Sequence, residues 1–585
     1  MEPRKSPFTP QTYARAINSL QGRSAATSVF PGNSYIDIAA WMRQDRSIFE
    51  PVQSEEDGTL FAPKSAQPHD LVVVYNVGEK KWDVQHYSQE QHKDFFAAKC
   101  VPPLGSGQVV FIRGFISPRW MSVLGSKYSI DPEFFRRHMD FLSVGIERHT
   151  FSLPSVISSS NNIIRLCVST LLDRDDFGGQ NLRSQRLDNS AELATYKIRQ
   201  LGSTRVRCGD SLVREYSTVC LRFSVIEQWI SICTTRTDGG WAVIAWMDQG
   251  RPLKQSPPGP WQHHIDANAI PLPVLQHHPK MAFRTTKNRL EPDANKDLPQ
   301  STAVLPLQYD SLVALVDLAR RGPQDPLSMC IPLFAHAAFS EVQFLNLMES
   351  RIQIQINHIA QEISDDTLGT LQYFTNILNR HTQQLKDSAR ALRKLVERSN
   401  QGFNSPIPET PTPNGAAPTG PGLETHRPAA ETKAARSFGL SGSSGTFTAN
   451  GLLEDYAHLH ARCVDLSEMC TRGITLAMNK ATIDESRKAI EQSEQVKKLT
   501  LLATLFIPLS FASSLFGMNI DMLGGPVSFW WFFVLCAPLI LFAYVVYLWD
   551  LQALRRCLLW LWARGREVQL DRTIGTKEKD PGHIV

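Results

Sequence analysis

Gly517-Met518-Asn519 closes an uncharged run at 499–516, and a second uncharged run, 527–549, begins a few residues later. Mg²⁺ sheds its waters reluctantly. An amide oxygen such as that of Asn519, with nearby backbone carbonyls, can hydrogen-bond those waters without stripping them, whereas a carboxylate would hold the ion more tightly and slow its release. Gly517 allows close backbone approach. The tripeptide therefore points to passage of a divalent cation, with Mg²⁺ as leading candidate and zinc or another divalent ion as the alternative. Glycine and asparagine also suit a left-handed helix C-cap, and capping and ion selection are compatible.

The elements that must position this tripeptide are two apolar helices. The 499–516 run rises about 27 Å as a helix, near the thickness of a bilayer core. In the second run, Trp530, Trp531, Tyr544, Tyr547 and Trp549 lie toward the ends, where aromatic rings favour the membrane interface. One such run alone reads equally well as a buried core helix. Two separated by a short loop, 520–526, read as a membrane pair, making the lipid bilayer a partner. Lys497 and Lys498 precede the first run, Arg555, Arg556, Arg564 and Arg566 follow the second, and the loop holds no Lys or Arg. Both termini are thus expected in the cytoplasm, with the loop outside. The plasma membrane is the default. Arg4, Lys5, Arg15 and Arg23 near the start keep the mitochondrial inner membrane open as an alternative.

The rest of the chain has a soluble character. Its 585 residues suffice for two or three domains, and 42% hydrophobic with 20% charged residues makes the membrane signal local. A net charge of +4 is too small to argue for nucleic acid. Ten cysteines without a C-x-x-C pair read as reduced thiols. There is no Walker loop, dinucleotide fingerprint or nucleophile elbow, so no enzyme and no cofactor is expected. The expected organisation is a disordered tail at 1–65, in which Pro3, Pro7 and Pro10 would break any helix, and a cytoplasmic α/β domain at 66–305. A helical hairpin follows at 306–400, then a Pro/Gly/Ser-rich disordered linker at 401–450. A stalk helix running into the first span occupies 451–519, the external loop 520–526, the second span 527–549 and a cytoplasmic tail 550–585. Within the α/β domain, strands are expected at 71–75, 82–87, 109–112, 163–168, 219–226 and 242–247. A helix is expected at 132–142, capped by Asp131 with Pro132 at its first position. Gly473 is a weak point of the stalk helix.

The segment from Lys497-Lys498-Leu499-Thr500-Leu501 through Phe506-Ile507-Pro508-Leu509-Ser510 to Phe516-Gly517-Met518-Asn519 resembles the CorA family of magnesium transporters. The close resemblance covers roughly 480–556. A weaker echo lies at Leu124, Tyr128, Ile130, Pro132 and Phe135, and the composition of the 401–450 insertion suggests a fungal-type relative. The resemblance implies a homopentamer with a cytoplasmic α/β domain, long helices and two C-terminal spans, conducting Mg²⁺ passively through a pore lined by the first span. It implies selectivity at Gly517, Met518 and Asn519, and pore-facing positions at Val496, Leu499, Ile507 and Ser510. The spacing agrees: steps of 3.6 residues from Val496 pass Leu499 or Thr500, Ala503, Ile507, Ser510 and Ser514 before the signature. Such small and hydroxyl residues also suit helix–helix packing. The family's usual acidic loop is replaced by Ile520-Asp521-Met522-Leu523-Gly524-Gly525-Pro526, leaving Asp521 alone for cation recruitment. That departure keeps a second reading open, a membrane-anchored scaffold that has lost conduction.

The family is also gated by divalent ions held between cytoplasmic domains, so Mg²⁺ is both transported ion and a possible regulatory ligand. Glu454, Asp455, Asp465, Glu468, Asp484, Glu485, Glu491 and Glu494 are available on the stalk, but a solvated charged face explains them as well, and no gating site is assigned. His458, His460 and Cys463, and the pairs His263-His264 and His277-His278, match no structural zinc spacing. No resident metal is expected.

Overall fold

The computed structural model describes residues 9–43, 69–78, 82–98, 107–143, 162–174, 181–202, 206–237, 240–263, 269–277, 300–313, 326–361, 365–402, 448–517, 530, 533–534 and 536–545. The chain forms two compact units, Met1–Ala477 and Met478–Val585.

The first unit is built on a mixed sheet whose strands are β1 (Asp70–Val77), β2 (Asp83–Ser88), β3 (Gly107–Arg113), β4 (Ile163–Asp173), β5 (Glu215–Thr218), β6 (Phe223–Thr237), β7 (Gly240–Met247) and β8 (Ile270–Pro271). Their order is β2-β1-β3-β7-β6-β4-β8, with β5 paired to β6. β3 and β7 run parallel and the other pairs antiparallel. The central strands are continuous apolar runs, as expected when both faces of a sheet are covered. Val73, Tyr75, Val109, Phe111, Val243 and Ala245 face one apolar cluster. Their neighbours Val72, Val74, Val110, Ile112, Ile244 and Trp246 face the other.

Helices close both faces. On the second side lie α1 (Pro10–Gln21), α2 (Ile36–Arg43), α3 (His92–Ala97), α4 (Pro118–Tyr128), α5 (Pro132–His138) and α6 (Leu182–Tyr196), which contribute Ile17, Trp41, Phe95, Trp120, Phe135 and Tyr196. On the first side lie α7 (Pro326–Gln361), α8 (Asp365–Gly402) and the beginning of α9 (Ala449–Gly517). Tyr456 of α9 donates to the Phe334 carbonyl at 3.0 Å, and Cys463 donates to the Leu378 carbonyl at 3.3 Å. A Cβ on Gly473 would meet Leu371 Cδ1 at 3.0 Å, so this glycine is a close packing point as well as a weak helix former.

The expected disordered tail at 1–65 is corrected over the described part. Pro10 starts α1 instead of breaking it, because Thr9 Oγ1 caps the Thr12 amide at 3.2 Å and proline at the first turn gives up no intrahelical bond. Tyr13 and Ile17 are buried, and Tyr13 donates to the Ile130 carbonyl at 2.8 Å. The expected strand at 219–226 straddles a turn, in which Val219 and Cys220 amides bond the Phe223 carbonyl at 3.0 and 3.1 Å. No Gly or Pro marks it, so the apolar run reads straight through. The helix expected at 132–142 ends at His138 and continues as a 3₁₀ turn, Asp140–Ser143, with Asp131 Oδ1 capping Glu133 at 2.9 Å. Almost all of the 401–450 linker lies outside the described residues.

Two buried ion networks tie helices to the sheet. On the α5 side, Arg214 grips Asp248 with two bonds of 2.7 Å, and His138 Nε2 lies 3.1 Å from the same carboxylate. Burial alone would raise the Asp248 carboxyl, but Arg214 and His138 hold it at about 2. On the α8 side, Glu227 is paired with Arg380 and lies 3.3 Å from His381 Nε2, while His381 Nδ1 meets both Glu341 oxygens at 3.0 Å. Burial opposes charge on His381, yet Glu341 and Glu227 push its pKa up to about 9.

Candidate functional site

Helix α9 runs unbroken through the stalk and the first apolar run to Gly517, and it is long and apolar enough to cross a membrane. Among the described residues, nothing within 4 Å would obstruct a Cβ on Gly517. Met518, Asn519 and Asp521 lie outside the described residues. Of the expected second span, Cys536–Val545 is described as a shorter apolar helix, here α10.

Val496, Leu499 and Ile507 are 59%, 66% and 66% exposed, which no soluble core would allow. Thr500, Ala503, Ser510 and Ser514 are exposed with them. At about 100° per residue, Val496, Leu499, Ile507, Ser510 and Gly517 fall within a sector of roughly 80°. Three hydroxyls on this helix are internally satisfied: Thr500 donates to the Val496 carbonyl at 2.8 Å, Thr504 to that of Thr500 at 2.7 Å, and Ser510 to that of Ile507 at 2.9 Å. They present oxygen to the surroundings without leaving an unmet donor in an apolar medium.

The opposite face has a different occupant. Lys498, Leu501, Leu502, Thr504 and Leu505 wall a cavity of about 290 Å³ together with Ile540 and Tyr544 of α10. Ala512, on the same side as these leucines, is fully buried, as is Cys536 at the start of α10. The centre of this face lies about 165° around the helix from the centre of the exposed sector. Among the described residues, Val496, Ile507 and Ser510 do not line this cavity. The apolar pattern could not reveal this division, because leucine and isoleucine occur on both faces. The small Ala512 among larger residues was the available signal.

Pro508 is a second feature that the stripe did not capture. It lies inside α9 and has no amide hydrogen, so the Thr504 carbonyl loses its helical donor. Thr504 also lines the cavity with Tyr544.

Among the described residues, no group of three or more His, Cys, Asp or Glu is placed to hold a metal ion. The stalk acids from Glu454 to Glu494 are exposed, as is His458. Cys463 is buried against α8, where Thr382 Oγ1 donates to its sulfur at 3.3 Å, and burial pushes its thiol up to about 12. It is a core residue.

Residues 443–549 match the family model described as CorA-like Mg²⁺ transporter protein. No curated protein matches the chain. Among solved structures, the complete CorA magnesium transporter from Methanocaldococcus jannaschii is similar at 8% identity and a TM-score of 0.30, over 81% of this chain and 96% of that one.

Proposed function

We propose that this chain, whose residues 443–549 match the CorA-like Mg²⁺ transporter family model, is a passive divalent-cation channel with Mg²⁺ as its principal ion. Five copies surround a pore lined by the first span. Val496, Leu499, Ile507 and Ser510 face the lumen, Gly517, Met518 and Asn519 form the mouth, and Asp521 attracts cations to it. The observation that carries the reading is the exposed, uncharged sector of α9, which reaches Gly517 inside the matched segment. Its back is taken by α10, and copies of the chain meeting at its front would enclose a weakly binding conduit suited to an ion that keeps its waters. Flux follows membrane potential and concentration gradient without ATP hydrolysis. Both termini are cytoplasmic, with the second span completed around α10, and the plasma membrane is the assigned location.

The test is growth at low magnesium of cells lacking their own magnesium uptake. The wild-type chain restores growth and Asn519→Ala abolishes it at equal membrane abundance. Failure of a well-inserted wild type to rescue would leave the scaffold reading, which the single acid Asp521 in the loop favours. Rescue that survives Asn519→Ala would remove that amide from the mechanism.

A further inference from the structure

The cavity of about 290 Å³ between α9 and α10 joins two kinds of lining. Leu501, Leu502 and Leu505 of α9 and Ile540 of α10 make its walls apolar. Lys498 and Tyr544 add an ammonium and a phenol hydroxyl at the end where α9 enters its apolar run. Thr504, the remaining wall residue, gives its hydroxyl hydrogen to the Thr500 carbonyl at 2.7 Å and needs no ligand. From Lys498 to Leu505 is about 10 Å of helix axis, so the lining changes from charged to apolar within two turns.

The two donors at the charged end are free. Among the described residues, neither the Lys498 ammonium nor the Tyr544 hydroxyl has a hydrogen-bond or ion-pair partner, and Glu494, one turn before Lys498, makes no ion pair with it. Lys498 is exposed and Tyr544 is 51% exposed, so both can meet a group from outside the chain. In the membrane reading proposed above, on which this inference rests, that end is level with the cytoplasmic headgroups, a depth that suits lysine and tyrosine. The cytoplasmic leaflet is also the one that carries anionic lipid. Deeper, at Leu505 and Ile540, the surroundings are acyl chains, and a gap between apolar walls forfeits dispersion contacts until a chain fills it. A soluble anion would meet the donors and leave the walls bare. A neutral lipid would cover the walls and leave Lys498 without a counter-charge.

We propose that this cavity is a site for one anionic phospholipid of the cytoplasmic leaflet. Its phosphate oxygens accept from Lys498 and Tyr544, and the first part of one acyl chain lies against Leu501, Leu502, Leu505 and Ile540. The lipid joins α9 to α10 on the side of α9 turned away from Val496, Ile507 and Ser510.

The experiment is native mass spectrometry of the full chain, extracted from membranes in detergent, with phosphatidylglycerol and with phosphatidylcholine of the same acyl chains. The wild type binds phosphatidylglycerol at least about fivefold more tightly, because the choline ammonium opposes Lys498. Lys498→Gln removes most of that preference and leaves the lipid-free unfolding temperature unchanged. Lys497→Gln, the same loss of charge one residue away but outside the cavity lining, keeps it. Leu502→Trp, which fills the walls, weakens binding of both lipids. Equal affinity of the wild type for the two lipids, or equal losses in Lys497→Gln and Lys498→Gln, would overturn the site. Glycerol 1-phosphate binding as tightly as phosphatidylglycerol would overturn its assignment to a lipid, and a wild type that binds neither lipid would show that the cavity is closed by another copy of the chain. All these results concern a chain that has inserted. A chain that alkaline carbonate strips from membranes would sink the membrane reading itself, and the lipid site with it.

Discussion

Replacing His381 with phenylalanine tests the buried network that joins α7, α8 and β6. The imidazole stacks on Phe344 with ring centroids 4.0 Å apart and planes at 14°, so a phenyl ring keeps the shape while deleting the charge and both nitrogens. Glu227 then keeps Arg380, while Glu341 loses its imidazole partner. Removing one partner of a fully buried pair costs about 3–5 kcal/mol. Linkage gives a similar figure for the charge. The raised pKa of His381, about 9 against an ordinary 6.5, corresponds to about 3 kcal/mol. Because the folded value lies above the unfolded one, this contribution is complete below about pH 6.5 and is lost as pH rises through about 9. Across that window Glu227, held well below the usual carboxylate range despite burial, and Arg380, held above its ordinary value by Glu227, keep their charges. Cys167 beside them stays a neutral thiol, because burial raises it. The assay is thermal unfolding of the full chain in detergent, followed by tryptophan fluorescence at several pH values. At pH 6.5 the variant should melt about 3–6 °C below wild type, and the gap should narrow toward pH 9.5. A gap under about 1 °C, or one that does not change with pH, would refute the charged-His381 assignment.

Two further outcomes follow from geometry. Gly114 has φ +74°, and a Cβ there would lie 2.5 Å from the Asp210 carbonyl oxygen, so Gly114→Ala should lower stability by about 1–3 kcal/mol in a denaturant titration. In the spans, Ile507→Trp should cut magnesium uptake at least about tenfold at equal abundance by narrowing the proposed lumen. Leu502→Trp, turned into the cavity beside α10, should leave most of the uptake intact. Equal effects of the two would show that the faces of α9 are wrongly assigned.

Much of the first unit can be read from residue order because its central strands are apolar on both faces. The runs around Val73, Phe111 and Ile244 announce strands whatever the topology. The same property hid the turn at Val219–Phe223, where β-branched and apolar residues continue through a reversal held by main-chain bonds. Helix α1 was obscured because Pro10 breaks or starts a helix depending on Thr9, and only the burial of Tyr13 and Ile17 decides between the two. Pairing of β3 with β7 depends on contacts remote in sequence and leaves no local mark. In the second unit, the apolar length of α9 was legible. The face turned to α10 was not, since leucine and isoleucine occur on both faces of the helix and polarity does not separate them.

The sheet also imposes an order on synthesis. Gly107 must wait for Trp241 before β3 and β7 can pair, so the sheet cannot close until well over a third of the chain has been made. Its first face then stays uncovered until α7, α8 and the beginning of α9 have emerged, because Phe344, Leu378 and Cys463 complete that cluster. The last of these helices passes directly into the first apolar run. A nascent chain thus shows two sticky surfaces in succession, the open sheet and then the span. Delay in the first would overlap with the second. Lesions in α7 or α8 should therefore reduce the amount of protein reaching the membrane even when every residue of the span is intact.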